Sequence, residues 1–278
     1  TVMSFARGMV PSSAPGGRPA IWAATGRSGG VSAPPFNSLN LAGYVGDDPS
    51  AVEANRGAVA IALGLSPERW SLMHAVHGAD VAVVEAPGLV AGVDALVTQL
   101  PDLAVIALAA DCVPVALVGD DGRTVAALHC GWRGLVVDVV GETVNTMRSL
   151  GTDVAAVVVG PAVCGQCYPV PADRSAALAT ATSAAVSSAA CVIAADGQPG
   201  IDVREGVRAR LAELGIDPHR IESVPGCTVE DAHLFSYRRV DPKRSRLVTQ
   251  EEESLRRQLF ELELFAARIA AAQRDSAS

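Results

Sequence analysis

The sequence predicts a layered α/β fold of α+β character. Three observations carry that expectation. Apolar runs of strand length recur between residues 22 and 238. Capped helical stretches interleave with them, without the regular strand–helix rhythm of a doubly wound parallel sheet. Finally, 49% of the 278 residues are apolar and only 4% aromatic, so a core built largely from Ala and Val is large enough to order the chain.

Residues 1–20 are rich in Pro, Gly and Ser and give little pattern; the first strand is expected at 22–26. Residues 29–41 read as a long ordered loop. Asp47-Asp48-Pro49 is a helix start, a capping carboxylate with Pro near the first helical position. That helix is predicted to run to Leu63, with Gly64 past its end and Val52, Val59 and Leu63 on its apolar face. Arg56, one turn from Val52, is expected to project towards a cleft. Residues 70–77 and 80–85 read as two strands joined at His77-Gly78, and 94–98 as another. The runs 104–110 and 113–118 are strands flanking Asp111-Cys112. A turn at 119–122 leads to a third run, 124–128, which ends in His129-Cys130-Gly131-Trp132-Arg133-Gly134. A helix is predicted over 135–150, a buried strand over 154–160, a helix over 173–188 and a weak strand over 191–195. Asp202-x-x-Glu205 resembles a capping box for a helix ending at Gly215. The last strands fall at 221–224 and 234–238. Leu255, Leu259, Leu262, Ala266 and Ile269 then fall in steps of four and three, a narrow helical seam. The expected organisation is one domain over 1–249 with a helical extension over 250–278.

Net charge is −8 and no basic stripe appears, which argues against a nucleic-acid partner. Residues 1–24 have no apolar core of signal-peptide type. The longest apolar run, 104–118, is 15 residues long and broken by Asp111, too short to span a membrane. Six Cys spread over a chain of this length suggest a reduced, cytoplasmic protein whose thiols serve as ligands or nucleophiles.

A carboxylate and a thiol between two buried runs are costly unless used or paired. His77, Cys112 and His129 all sit near strand ends and are residue types suited to zinc. Three such donors with a vacant fourth position describe a catalytic rather than a structural site. Copper also accepts two imidazoles and a thiolate. Asp111, beside Cys112, is positioned to orient a ligand. A Cys112 nucleophile with His129 as base is the rival reading, and spacing does not separate the two. Cys164-x-x-Cys167 stands alone; Cys164, Cys191 and Cys227 read as buried small residues. His74 points away from His77 on a strand and reads as structural. Cys130 reads as core.

Val76-His77-Gly78, Ala110-Asp111-Cys112-Val113-Pro114-Val115 and His129-Cys130-Gly131-Trp132-Arg133-Gly134 resemble the YfiH-like laccase-domain family. Its members are named as polyphenol oxidases, purine nucleoside phosphorylases and peptidoglycan editing factors. Gly30-Val31-Ser32, Ser38-Leu39-Asn40-Leu41, Val45-Gly46-Asp47-Asp48, Asn55-Arg56, Asp94-Ala95-Leu96-Val97-Thr98, Gly160-Pro161-Ala162, Cys167-Tyr168, Cys227-Thr228 and Phe235-Ser236-Tyr237-Arg238-Arg239 extend the likeness over about 22–248. The resemblance implies a four-layer α/β/β/α sandwich related to proposed cysteine hydrolases. It implies zinc on His77, Cys112 and His129. It also implies phosphorolysis of adenosine, inosine and methylthioadenosine, with adenosine deamination beside it.

Phosphorolysis needs the leaving purine protonated or hydrogen-bonded, the ribosyl cation stabilised and phosphate held for attack. Arg56 is the first phosphate candidate, with Arg238 and Arg239 as alternatives. Asn40 and Tyr168 are the further expected substrate contacts, Tyr168 by stacking on a base. The expected partners are purine nucleosides and phosphate, with the chain a monomer or homodimer. Some positions depart from the family pattern: Ala75 where Gln is usual, Pro169 where Glu is usual, and Lys243-Arg244-Ser245-Arg246 where Thr-Gly-Arg is usual. Three alternatives stay open at this point: a copper-dependent phenol oxidase, a Cys112–His129 hydrolase or amidase in peptidoglycan editing, and a partner-binding factor that docks through 250–274.

Overall fold

The computed structural model describes residues 5–11 and 19–240, so the helical seam at 250–274 and the Lys243–Arg246 departure lie outside the described residues. The N-terminal stretch, patternless in sequence, holds β1 (Phe5–Val10), which pairs antiparallel with β2 (Ala20–Thr25). Residues 26–48 form a loop without strand or helix, and a buried residue orders it. Asn55, fully buried on α1 (Pro49–Leu63), donates through Nδ2 to Ser32 Oγ (2.9 Å), to the Ser38 carbonyl (3.1 Å) and to the Asn40 carbonyl (2.9 Å). Its Oδ1 accepts from the Val31 N–H at 2.8 Å. Helix α1 has the predicted ends: Asp48 accepts from the Ser50 N–H, and Gly64 closes it in the left-handed region at φ 69°.

Two sheets follow. The smaller is parallel, in the order β5 (Gly88–Ala91), β3 (Trp70–His74), β7 (Ala104–Ile106). The larger contains β4 (Val81–Val83), β6 (Ala95–Thr98), β8 (Val113–Gly119), β9 (Val125–Cys130), β10 (Val154–Val159) and β13 (Ile221–Ser223), in the order β13-β10-β8-β9-β6-β4. A small ribbon pairs β11 (Cys191–Ile193) with β12 (Pro199–Ile201). The helices after β9 are α2 (Trp132–Val136), α3 (Val139–Ser149), α4 (Ala172–Ala181), α5 (Ala184–Ala190) and α6 (Val203–Glu213).

The layers follow from which side chains share a cluster. Val59 and Ala60 of α1 pack with Trp70 and Leu72 on the outer face of the smaller sheet. Met73, Leu96 and Ala127 fill the space between the sheets. On the far face of the larger sheet, Val97, Val115, Leu117 and Leu128 pack with Val140, Val144, Met147, Val207 and Leu211 of α3 and α6. Neighbouring residues of β6 and β9 therefore serve different layers, Leu96 on one face and Ala95 and Val97 on the other. Both faces are covered, so these strands read as unbroken apolar runs. The result is the four-layer α/β/β/α arrangement that the resemblance implied.

Several predicted elements change. Residues 70–77 and 80–85 are not neighbours in one sheet: β3 belongs to the smaller sheet and β4 to the larger, and the chain crosses between layers at 75–80. The runs 104–110 and 113–118 are likewise divided between sheets, β7 and β8. The helix expected over 135–150 breaks at Asp138, which sits at φ 65°, accepts from the Gly141 N–H and pairs with Arg210 at 2.7 Å. The apolar spacing survives that break, so the spacing could not reveal it. The helix over 173–188 divides at Ser183, whose Oγ caps the Val186 N–H. Residues 234–236 form no strand, and Tyr237–Val240 is a short helix, α7. Strands β5 and β12 escaped the sequence reading. The chain divides into one unit up to Tyr237 and a second from Arg238. No helix among the described residues is long and apolar enough to cross a membrane.

Candidate active site

Two of the three expected donors sit at the ends of paired strands, and the third lies between two strands. His77 follows β3 in the crossing segment, held at φ 61°. Cys112 immediately precedes β8, and His129 lies next to the end of β9, paired with Pro114 of β8. The β8–β9 register thus brings Cys112 and His129 together. The link to His77 is made by Asp94, which directly precedes β6 and is fully buried. Its carboxylate accepts the backbone N–H groups of Val76 (3.0 Å), His77 (2.9 Å) and Gly78 (2.7 Å). The same Oδ1 lies 2.9 Å from His129 Nδ1. One carboxylate therefore fixes both the turn that carries His77 and the ring of His129.

That bond also selects a tautomer. With Nδ1–H donated to Asp94, His129 presents Nε2 towards the other two donors. His77 Nε2 lies 3.6 Å from Cys112 Sγ, and the two imidazoles meet edge to face with centroids 4.9 Å apart. One donor atom from each of His77, Cys112 and His129 lies within 4.8 Å of the other two. Gly131 makes the approach possible: a Cβ there would stand 2.8 Å from His77 Cδ2 and 3.1 Å from Cys112 Sγ. His77 is exposed, Cys112 half-buried and His129 buried, so the group opens to solvent on one side.

The charges are strongly coupled. Burial pushes the Cys112 thiol up, but the adjoining His129 and His77 imidazoles outweigh it and bring it down to about 6. Burial disfavours charge on His129, yet the Cys112 sulfur and the Asp94 carboxylate raise it to about 10. For Asp94, burial is outweighed by the bond to His129 and by the Gly78 and Val76 N–H groups, which hold it below the usual carboxylate range. The donor set fits a thiophilic divalent ion: two imidazoles, one thiolate, and a carboxylate that orients one of the rings. Binding such an ion displaces the proton on His129 Nε2, so affinity rises with pH.

The other expected residues take different places. Asp111 Oδ1 accepts from Thr228 Oγ1 at 2.7 Å, and its carbonyl accepts from the Val163 N–H at 3.0 Å. The orienting carboxylate is Asp94, which sequence reasoning missed. The signal was there, since an acid opening a fully apolar strand must have buried partners. Asn40 spends both Nδ2 hydrogens inside its own loop, on the Ala42 carbonyl (3.1 Å) and Asp47 Oδ2 (2.9 Å). Arg56 is half-buried and donates through Nε (2.9 Å) and Nη2 (2.7 Å) to the Leu41 carbonyl. Tyr44, close to Arg56, stacks on His74 with centroids 4.1 Å apart. Tyr168 packs against the main core, and Arg238 lies in α7 at the start of the second unit. Cys130 is core, as expected.

The family described as multi-copper polyphenol oxidoreductase laccase matches residues 21–249. A Streptomyces coelicolor protein named purine nucleoside phosphorylase is 49% identical over 220 residues, covering 77% of this chain and 88% of that protein. One of the same name from Mycobacterium tuberculosis is 43% identical over 222 residues, covering 78% and 86%. Among solved structures, YlmD from Geobacillus stearothermophilus superposes with a TM-score of 0.72 at 32% identity, covering 77% of this chain and 84% of that one. YfiH from Bacillus licheniformis gives 0.72 at 28% identity, with 77% and 85% covered.

Proposed function

We propose that this chain, which belongs to the multi-copper polyphenol oxidoreductase laccase family, is a zinc-dependent purine nucleoside phosphorylase. The supporting observation is the His77–Cys112–His129 group, braced by Asp94 and open to solvent on one side, in a chain up to 49% identical to proteins bearing that name. His77, Cys112 and His129 hold the ion; Cys112 supplies the soft ligand that favours zinc or copper over magnesium. When bound, zinc supplies Lewis-acid polarisation and lowers the pKa of water.

The chain's own residues position the rest. Asp94 keeps His129 in the tautomer that offers Nε2. Arg56 receives phosphate: no carboxylate pairs with it among the described residues, and the Leu41 carbonyl uses only two of its five N–H donors. Asn40 and Asn55 hold the loop from which the Leu41 carbonyl fixes that guanidinium. In the reaction, a phosphate oxygen bonds to C1′ of the ribose, the C1′–N9 bond breaks, and the purine leaves with a proton. Adenosine, inosine and methylthioadenosine are the proposed substrates, with adenosine deamination as a side activity. Anomalous scattering at the zinc edge is expected at the three donors. Cys112→Ala is expected to lose both the ion and phosphate-dependent release of purine base; full activity in that variant overturns the reading.

A further inference from the structure

A second cluster of sulfur atoms lies apart from these donors. One donor atom each from Cys164, Cys167, Cys227 and Glu230 lies within 4.8 Å of the other three. All four belong to two turns of the same spacing. In Cys164-x-x-Cys167 the Cys167 N–H returns to the Cys164 carbonyl at 3.0 Å. In Cys227-x-x-Glu230 the Glu230 N–H returns to the Cys227 carbonyl at 3.2 Å. The turns are tied face to face: Ala162 and Cys227 form a parallel bridge, the Thr228 N–H donates to the Ala162 carbonyl at 3.2 Å, and the Cys164 N–H points at Cys227 Sγ at 3.4 Å. Cys167 Sγ lies 3.3 Å from Glu230 Oε1. The first turn is anchored from outside by the Gly165 N–H on Asp202 Oδ2 (3.0 Å), the residue that caps α6.

We infer that Cys164, Cys167, Cys227 and Glu230 form a structural zinc site. Two x₂-spaced turns converging on one point are how short loops present four ligands to a tetrahedral ion. Ligands around zinc at ordinary bond lengths lie about 3.8 Å apart, within the span of this cluster. Three thiolates and a carboxylate repel one another, and a divalent cation at their centre lets all four be anionic. The mixture of soft sulfur with a hard carboxylate favours zinc over monovalent copper. With four protein donors no position stays open, so the site holds structure and does no chemistry.

The site also has something to hold. Thr228, next to Cys227, donates to Asp111 Oδ1, and Val163, next to Cys164, donates to the Asp111 carbonyl. Asp111 precedes Cys112. The cluster therefore clamps the backbone that sets Cys112 in place, and its residues act on that site as positioning residues.

Metal analysis of the full chain, purified without chelator under reducing conditions, tests this. The expected zinc content is two ions per chain in the wild type, one in Cys112→Ala and one in Cys167→Ser. Glu230→Gln, at an exposed position, keeps the test open if Cys167→Ser fails to fold; it is expected to release the second ion at lower chelator concentration. Cobalt exchanged into Cys112→Ala is expected to show roughly three times the thiolate-to-metal absorption of the one-thiolate site left in Cys167→Ser. One zinc per chain in the wild type with no loss in Cys167→Ser overturns the inference. So does a Cys164–Cys167 disulfide in protein kept reduced throughout.

Discussion

The two sulfur-bearing clusters are built by opposite means. The first takes Cys112 and His129 from the ends of paired strands, fixed by sheet register, and His77 from the segment that crosses between the sheets, fixed by a buried carboxylate. The second takes its four donors from two turns that depend on each other and on Asp202. These donors leave one side of the group to solvent, so three donors there favour exchange of ligands. Turns can wrap a point on all sides, so four donors there favour retention. One family fold thus carries a group suited to chemistry and a group suited to bracing, and the Asp111 contacts join them.

The largest expected effect separates the two. Cys112→Ala should bring phosphorolysis to background while the thermal transition stays cooperative, whereas Glu230→Gln should mainly lower the melting temperature. Equal loss of activity in both variants would erase the distinction. Next in size, Asp94→Asn should weaken zinc at the first cluster by about 10–100-fold, since a group orienting a metal-bound imidazole typically contributes that much. Competition with a chromophoric chelator measures it, and the second ion should be unaffected. Arg56→Ala should raise KM for phosphate by about tenfold, equivalent to about 1.4 kcal/mol, with KM for the nucleoside little changed. Initial-rate kinetics over both substrates would show it.

The smallest effect concerns protons. In metal-stripped protein the Cys112 thiol is lowered to about 6, below its ordinary 9.0, while burial and the Glu230 carboxylate raise Cys167. A lowered folded-state value means the thiolate persists at neutral pH and is lost as pH falls through about 6. Alkylation followed by peptide mapping should therefore label Cys112 at pH 7 with a midpoint near 6, and leave Cys167 unlabelled.

Much of the fold was legible where the signal is local. Asp48-Pro49 and Gly64 gave the ends of α1, and the turn at 119–122 gave the β8–β9 pair. The motifs quoted for the family spanned about 22–248, against a matched range of 21–249. Sheet membership was not legible. Nothing in the runs at 104–110 and 113–118 says that they join different layers, because both are apolar on every side. The same limit hid Asp94, which meets His129 only through the β6–β9 register, 35 residues away in sequence. It also hid the second cluster: Cys164-x-x-Cys167 looked solitary because its partners at Cys227 and Glu230 arrive 63 residues later. Asp138 broke a helix whose apolar spacing ran through the break unchanged.

The most direct test is to incubate zinc-loaded protein with adenosine, with and without phosphate, and to identify the products. The account predicts adenine and ribose 1-phosphate in equal amounts, only when phosphate is present and only with Cys112 intact. Inosine as the sole product at every phosphate concentration, or base released equally without phosphate, would contradict it.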